Sequence, residues 1–139
     1  MALKRVVVTG LGALTPIGNN LDEFWTGLIE GKSGAAPITY FDTEKFKTKF
    51  ACELKDFDIS LHLDRKQQRK MDRFTQYGMV STEEAIKDSG LDLEKIDKLR
   101  VGVIWGSGIG GIETFQNQML DHASGAVSYT HLTLPTKQM

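Results

Sequence analysis

Four cations carry the most suggestive spacing in this sequence. Lys66, Arg69, Lys70 and Arg73 recur at i, i+3, i+4 and i+7 within DRKQQRKMDRFTQYGMVSTEEAIKDSG, residues 64–90. On a helix they would share one arc about 100° wide. A cation row is most often a solvated face. This one crowds the first turns of the helix that the stretch predicts, where the backbone dipole favours carboxylates by roughly 0.3–1 kcal/mol each. Like charges at i,i+4 add a similar penalty. A row so placed points to an anionic partner docking on it. A second pattern, Gly106-x-Gly108-x-x-Gly111, follows an apolar run and matches the dinucleotide fingerprint. No acidic residue closes a second strand about 20 residues on, where a ribose would need it. The glycines are therefore read as a tight strand-to-helix packing point and not as a nicotinamide site. Cys52 alternates with charged neighbours from Phe46 to Leu54, which makes it a small buried hydrophobe rather than a nucleophile.

The bulk numbers narrow the classes further. A chain of 139 residues is one domain's worth and can bury a core. The formal net charge of −1 gives no general pull on nucleic acid or membrane, so the basic row is a local feature. One cysteine excludes an internal disulfide, and no Cys/His cluster has metal-ligand spacing. No signal peptide or membrane-length apolar run is present. A cytoplasmic protein is the expectation.

The elements that must position these residues follow from periodicity. Asp64 with Gln67 makes a capping-box start and Ser89-Gly90 a stop, predicting one long helix over 64–90. Met71, Phe74, Gly78, Ser81 and Ala85 form its buried stripe, and the small end should admit another backbone closely. Arg5–Thr9, ahead of Gly10-Leu11-Gly12, reads as a strand buried on both faces. Pro16 and Gly18 mark a loop. Asn20 with Glu23 opens a helix with the stripe Leu21, Phe24, Trp25, Leu28 and Ile29, and Gly31 stops it. Phe46–Leu54 reads as a half-exposed edge strand guarded by lysines. Arg100–Trp105 reads as a second long strand, parallel to the first, before a helix carrying Ile112, Phe115 and Met119. The order is that of an α/β fold, β-α-(β)-α-β-α. Val127–Met139 does not continue the pattern.

KRVVVTGLGALTPIGN, GKSGAAPITYFDT, RKQQRKMDRFTQYG and VGVIWGSGIGGIE, in this order, resemble the start of a β-ketoacyl-acyl-carrier-protein synthase of the elongating type, synthase II. The resemblance covers roughly residues 3 to 125. It divides the chain into a partial N-terminal ketosynthase domain, 1–126, and a non-family tail, 127–139, of artefactual origin. It implies a thiolase-like fold, of which this chain holds an incomplete N-terminal half, and a homodimer in the full-length enzyme. The implied reaction is a decarboxylative Claisen condensation that elongates acyl-carrier protein with malonyl-carrier protein in fatty acid biosynthesis. A cysteine carries the acyl chain, and two histidines with an amide oxyanion hole stabilise charge. That cysteine and both histidines fall in segments this sequence does not contain. Cys52, His62, His122 and His131 do not match them, so no catalytic residue is assigned and the chain is expected to be inactive.

Two implied roles land on residues present. Lys66, Arg69 and Lys70 match positions that contact the acidic acyl carrier protein and its phosphopantetheine phosphate, leaving Arg65 and Arg73 as bystanders. Ile109 matches a residue lining the acyl pocket near the dimer interface. No cofactor is bound directly; phosphopantetheine arrives on the carrier protein, and neither nucleic acid nor membrane is a partner. The competing readings are a polyketide ketosynthase, a non-catalytic carrier-protein-binding module and, last, a nucleotide-binding protein. An isolated half-sheet would expose apolar surface and aggregate or fold only in part.

Overall fold

The computed structural model describes residues 4–125. These fall into two compact units, Met1–Gly106 and Ser107–Met139. The expectations for the tail from Val127, and for His131, lie outside the described residues.

The first unit is arranged around α3, Arg73–Ser89, which begins after Asp72 and ends at Gly90. Gly90 takes the left-handed φ of 64° that a glycine stop allows. Gly78 and Val80 are the buried residues of this helix, and Val80 and Leu63 are the buried large apolar side chains among the described residues. The small stripe does admit a second backbone. A Cβ placed on Gly12 would lie 2.0 Å from the Ser81 carbonyl oxygen, and one on Gly10 would lie 2.3 Å from that of Ala85. One turn earlier, a Cβ on Gly78 would sit 2.8 Å from the Trp105 ring.

Carboxylates on the same helix hold the approaching chain. Glu84 accepts the Ala13 and Leu21 amides, each at 2.7 Å, and Asp88 accepts the Leu11 amide at 2.9 Å. Leu21 is the first residue of α1, Leu21–Ile29, so Glu84 satisfies an N–H that the helix itself leaves without a partner. A carboxylate at that end is also favoured by the helix dipole. Asn20 caps the helix through the Glu23 amide, while the Glu23 carboxylate accepts from Asn19 one residue short of a reciprocal box. Thr15 and Gly18 exchange backbone bonds across the Pro16 turn, and Gly31 ends the helical segment with φ 65°.

Several predicted elements are absent among the described residues. Arg5–Thr9 and Arg100–Trp105 form no ladder; Lys98–Arg100 is a short 3-10 turn. Val6 is 90 % exposed and Ile104 fully so. A strand needs a neighbour about 4.8 Å away to pair its amides; here Thr9 from the first run and Gly102–Trp105 from the second line a cavity of about 620 Å³ against Ser81, Ala85 and Ser89. The predicted edge strand shrinks to β2, Phe50–Ala51, paired antiparallel with β1, Ala36–Pro37. Cys52 lies beyond this two-residue ladder and is exposed, which corrects its reading as a buried hydrophobe. Trp25 and Ile29 of the α1 stripe are also exposed, while Gly27 is buried against Ile17.

The second unit contains α4, Ile112–Ala123, as the sequence predicts, with Ile112, Phe115 and Met119 exposed. The glycine loop before it gives no close approach at Gly106 or Gly108, where a Cβ would meet nothing within 4 Å. Gly110 uses its freedom differently, at φ 75°, with its amide bonded to Ser107 Oγ at 3.0 Å.

Glu53 closes the loop that follows β1. Its carboxylate accepts the Thr39 amide and hydroxyl and the Tyr40 amide. Partial desolvation is the largest single influence and pushes its pKa up; the hydrogen bonds from Thr39 and Tyr40 together prevail and hold it below the ordinary 4.5. A carboxylate lowered on folding contributes stability above its unfolded pKa and loses it as pH falls through the folded one. The Thr39 and Tyr40 amide resonances should therefore titrate with a midpoint below 4.5, and Glu53→Gln should abolish that titration. A midpoint at or above the ordinary value would refute the clamp. The glycine contacts make a second prediction. Gly12→Val should destabilise the chain by about 2 kcal/mol or more, because the clash is with helix backbone. Gly90→Ala, strained only by its φ, should cost about 1 kcal/mol. Denaturant unfolding that ranked the two equally would remove the close approach from the fold.

Candidate functional site

The basic turn is built from its anchors outward. Leu63 is buried, and its carbonyl accepts the Gln68 side-chain amide at 2.6 Å. Asp64 then caps α2, Arg65–Gln68: its carboxylate takes the Lys66 and Gln67 amides at 2.8 Å, and Gln67 returns a bond to the Asp64 amide. The capping box predicted from sequence is present. The single long helix is not. Arg69 ends α2, Asp72 turns extended at ψ 157°, and its carbonyl starts α3 by accepting from Thr75 and Gln76. Asp at this position is a favoured N-cap residue, so the signal for a second start was in the sequence, masked by the continuous periodicity around it.

With α2 only four residues long, Arg69 and Lys70 follow its C-terminal end, where cations are favoured, and no long dipole opposes them. Arg73 begins a different helix, so the four cations do not form one stripe. The charge is therefore not misplaced, and its position alone gives no reason for a partner. Lys66, Arg69 and Lys70 are exposed on one turn, and their side chains make no ion pair among the described residues. Lys95 and Lys98 by contrast reach Asp92 at 2.8 Å and Glu94 at 3.8 Å. Three cations within five residues, none ion-paired among the described residues, make this turn locally basic.

The turn is fixed from α3. The Gln76 side-chain amide donates to the Gln68 carbonyl at 3.0 Å and to the Met71 carbonyl at 2.9 Å, tying the end of α2 and the connection to α3. Gln76 also lines a cavity of about 440 Å³ with Tyr40, Leu54, Asp56, Phe57, Asp58, Ile59, Arg73 and Tyr77. Phe57 stacks on His62 at 5.7 Å and meets the Tyr77 edge at 5.9 Å. The Arg73 guanidinium, also exposed, lies 4.8 Å from the Tyr40 ring centre. Asp58 caps the 3-10 turn Ile59–Leu61 through the Ser60 amide, and hydrogen bonding to Ser60 lowers its pKa. Sequence reasoning missed this cavity. Its lining comes from three separate stretches with no shared period, and only the Asp58–Ser60 cap left a local trace.

Ile109 belongs to the other unit and is 79 % exposed, so no acyl pocket closes around it among the described residues. No group of three or more metal-ligating side chains gathers among the described residues. No helix there is long and apolar enough to cross a membrane.

Comparison with known proteins places this geometry in a family. The family described as Beta-ketoacyl synthase, N-terminal domain, matches residues 3–137. A 3-oxoacyl-[acyl-carrier-protein] synthase 2 from Staphylococcus aureus is 48 % identical over 128 residues, 90 % of this chain and 31 % of that protein. Its counterpart in a Synechocystis species is 46 % identical over 115 residues, 83 % of this chain and 28 % of the relative. Among solved structures, the ishigamide ketosynthase/chain length factor superposes with a TM-score of 0.75 at 36 % identity, over 89 % of this chain and 31 % of that one. A type II polyketide ketosynthase, solved in complex with its acyl-carrier protein, gives 0.69 at 32 % identity, over 88 % and 32 %. The chain thus spans about a third of the length of these relatives, and it carries the thiolase-like architecture of a ketosynthase's N-terminal half. It belongs to the β-ketoacyl synthase family.

Proposed function

We propose that this chain is the carrier-protein-docking part of a β-ketoacyl-acyl-carrier-protein synthase II. Its family reaction elongates acyl-carrier protein with malonyl-carrier protein in fatty acid biosynthesis. The observation that carries the reading is the exposed, unpaired trio Lys66, Arg69 and Lys70. A carrier protein recognised there would present acidic side chains and the phosphate of its phosphopantetheine arm, both suited to charge-assisted hydrogen bonds. The identities favour this pathway: relatives named 3-oxoacyl-[acyl-carrier-protein] synthase 2 reach 48 %, against 36 % for the ishigamide ketosynthase. That second likeness supports a polyketide ketosynthase as the alternative reading. Ile109, small and apolar, is part of the proposal as a wall of an acyl pocket completed by residues outside this chain. A homodimer of the full-length enzyme and a cytoplasmic location belong to the same reading.

The chain itself is proposed to bind without condensing. Its cysteine sits exposed beside a two-residue ladder.

Lys66→Glu with Arg69→Glu should weaken binding of holo-acyl carrier protein roughly tenfold at low salt, since exposed charge contacts are worth about 0.2–1 kcal/mol each. The loss should shrink as ionic strength rises. Isothermal titration at two salt concentrations checks this, and an unchanged dissociation constant would return the trio to a solvated surface. Incubated with acyl- and malonyl-carrier protein, the chain should release no carbon dioxide above the protein-free rate. Measurable turnover would defeat the non-catalytic reading.

A further inference from the structure

The cavity beside the basic turn has a composition that restricts what can enter it. Its walls are mostly apolar: Tyr40, Leu54, Phe57, Ile59 and Tyr77. Phe57 is held on both sides by His62 and Tyr77, so the wall is preformed rather than assembled on binding. Asp56 and Asp58 also line it, and both would repel a carboxylate or phosphate. Arg73, the cation among the lining residues, is already engaged by the Tyr40 ring. An uncharged apolar group is what this lining accepts.

The cavity neighbours the basic turn through Gln76. Gln76 lines it and at the same time holds the Gln68 and Met71 carbonyls that bound the turn bearing Arg69 and Lys70. An anionic partner drawn to Lys66, Arg69 and Lys70 therefore arrives beside a preformed apolar pocket. Interfaces concentrate their binding energy in such anchors, with charged contacts at the rim steering the approach.

We infer that the pocket of Tyr40, Leu54, Phe57, Ile59 and Tyr77 takes an apolar side chain of the acidic carrier protein that docks on Lys66, Arg69 and Lys70. The inference rests on the docking reading above and adds a second, salt-insensitive contact to it.

A pair of opposite charges at one wall separates an apolar anchor from a simple field effect. In titrations of the 139-residue chain with holo-acyl carrier protein, Ile59→Lys and Ile59→Asp should both weaken binding roughly tenfold. Both losses should persist at high salt, whereas that of Lys66→Glu should fade. Opposite signs, with Ile59→Lys binding tighter and Ile59→Asp weaker, would show that the site senses only field and would overturn the pocket. So would no change in either. Circular dichroism checks folding; should the Ile59 variants unfold, Leu54→Ser tests another wall and should cost several-fold, an unchanged constant again refuting the assignment. If Lys66→Glu weakens binding while the wall variants are silent, the pocket assignment alone falls. If Lys66→Glu is also silent, the docking reading fails with it. Sedimentation supplies the last arm: an oligomer that Ile59→Lys dissociates, with carrier binding unchanged, would assign the pocket to a second copy of this chain and overturn the proposal.

Discussion

The 2.0 Å between an imagined Gly12 methyl and the Ser81 carbonyl oxygen leaves no room for any side chain but hydrogen. The rest of the first unit depends on that approach. With Gly10 and Gly12 pressed on α3, the amides of Leu11, Ala13 and Leu21 come within reach of Asp88 and Glu84. Those two carboxylates lie one helical turn apart, so a single face of α3 positions both the glycine segment and the start of α1. Gly78 repeats the device one turn earlier for Trp105. The helix works as a spine because its stripe is small where backbone must pass and acidic where amides must be held.

What the sequence made legible follows from whether a signal is local. Capping at Asp64, the stops at Gly31 and Gly90, the small stripe and α4 each rest on residues within a turn or two, and each is present. The strands Arg5–Thr9 and Arg100–Trp105 were read from apolar runs, but ladder formation depends on a partner at a set spacing, which a run cannot encode. Cys52 failed for the same reason: alternation predicts a buried face only where a sheet exists to bury it. The break at Asp72 shows the opposite error, a local N-cap overridden by a period that continued through it.

The site was legible in part. Spacing named four cations and the family resemblance narrowed them to three, yet the physical reason first attached to the row was wrong, because it assumed one long dipole where the chain makes a short turn and a separate helix. The aromatic cavity was invisible because Tyr40, Phe57 and Tyr77 converge from distant positions. Membership in the β-ketoacyl synthase family, with 48 % identity to a synthase 2, rests on the whole ordered set of segments and on no one of them.

The brace at Gln76 has a mechanical consequence. One amide group reaches back from α3 and grips two carbonyls, that of Gln68 at the end of α2 and that of Met71 in the connection. A turn of this length would ordinarily act as a soft hinge, yielding when something pulls on Arg69 or Lys70. Tied to the second turn of α3, it behaves as a stiff bracket, and a force applied to those side chains passes into the spine helix. The helix in turn is locked to the glycine segment through contacts that tolerate almost no displacement. A load at the surface is thereby carried to Gly10 and Gly12, far along the chain, with little compliance in between.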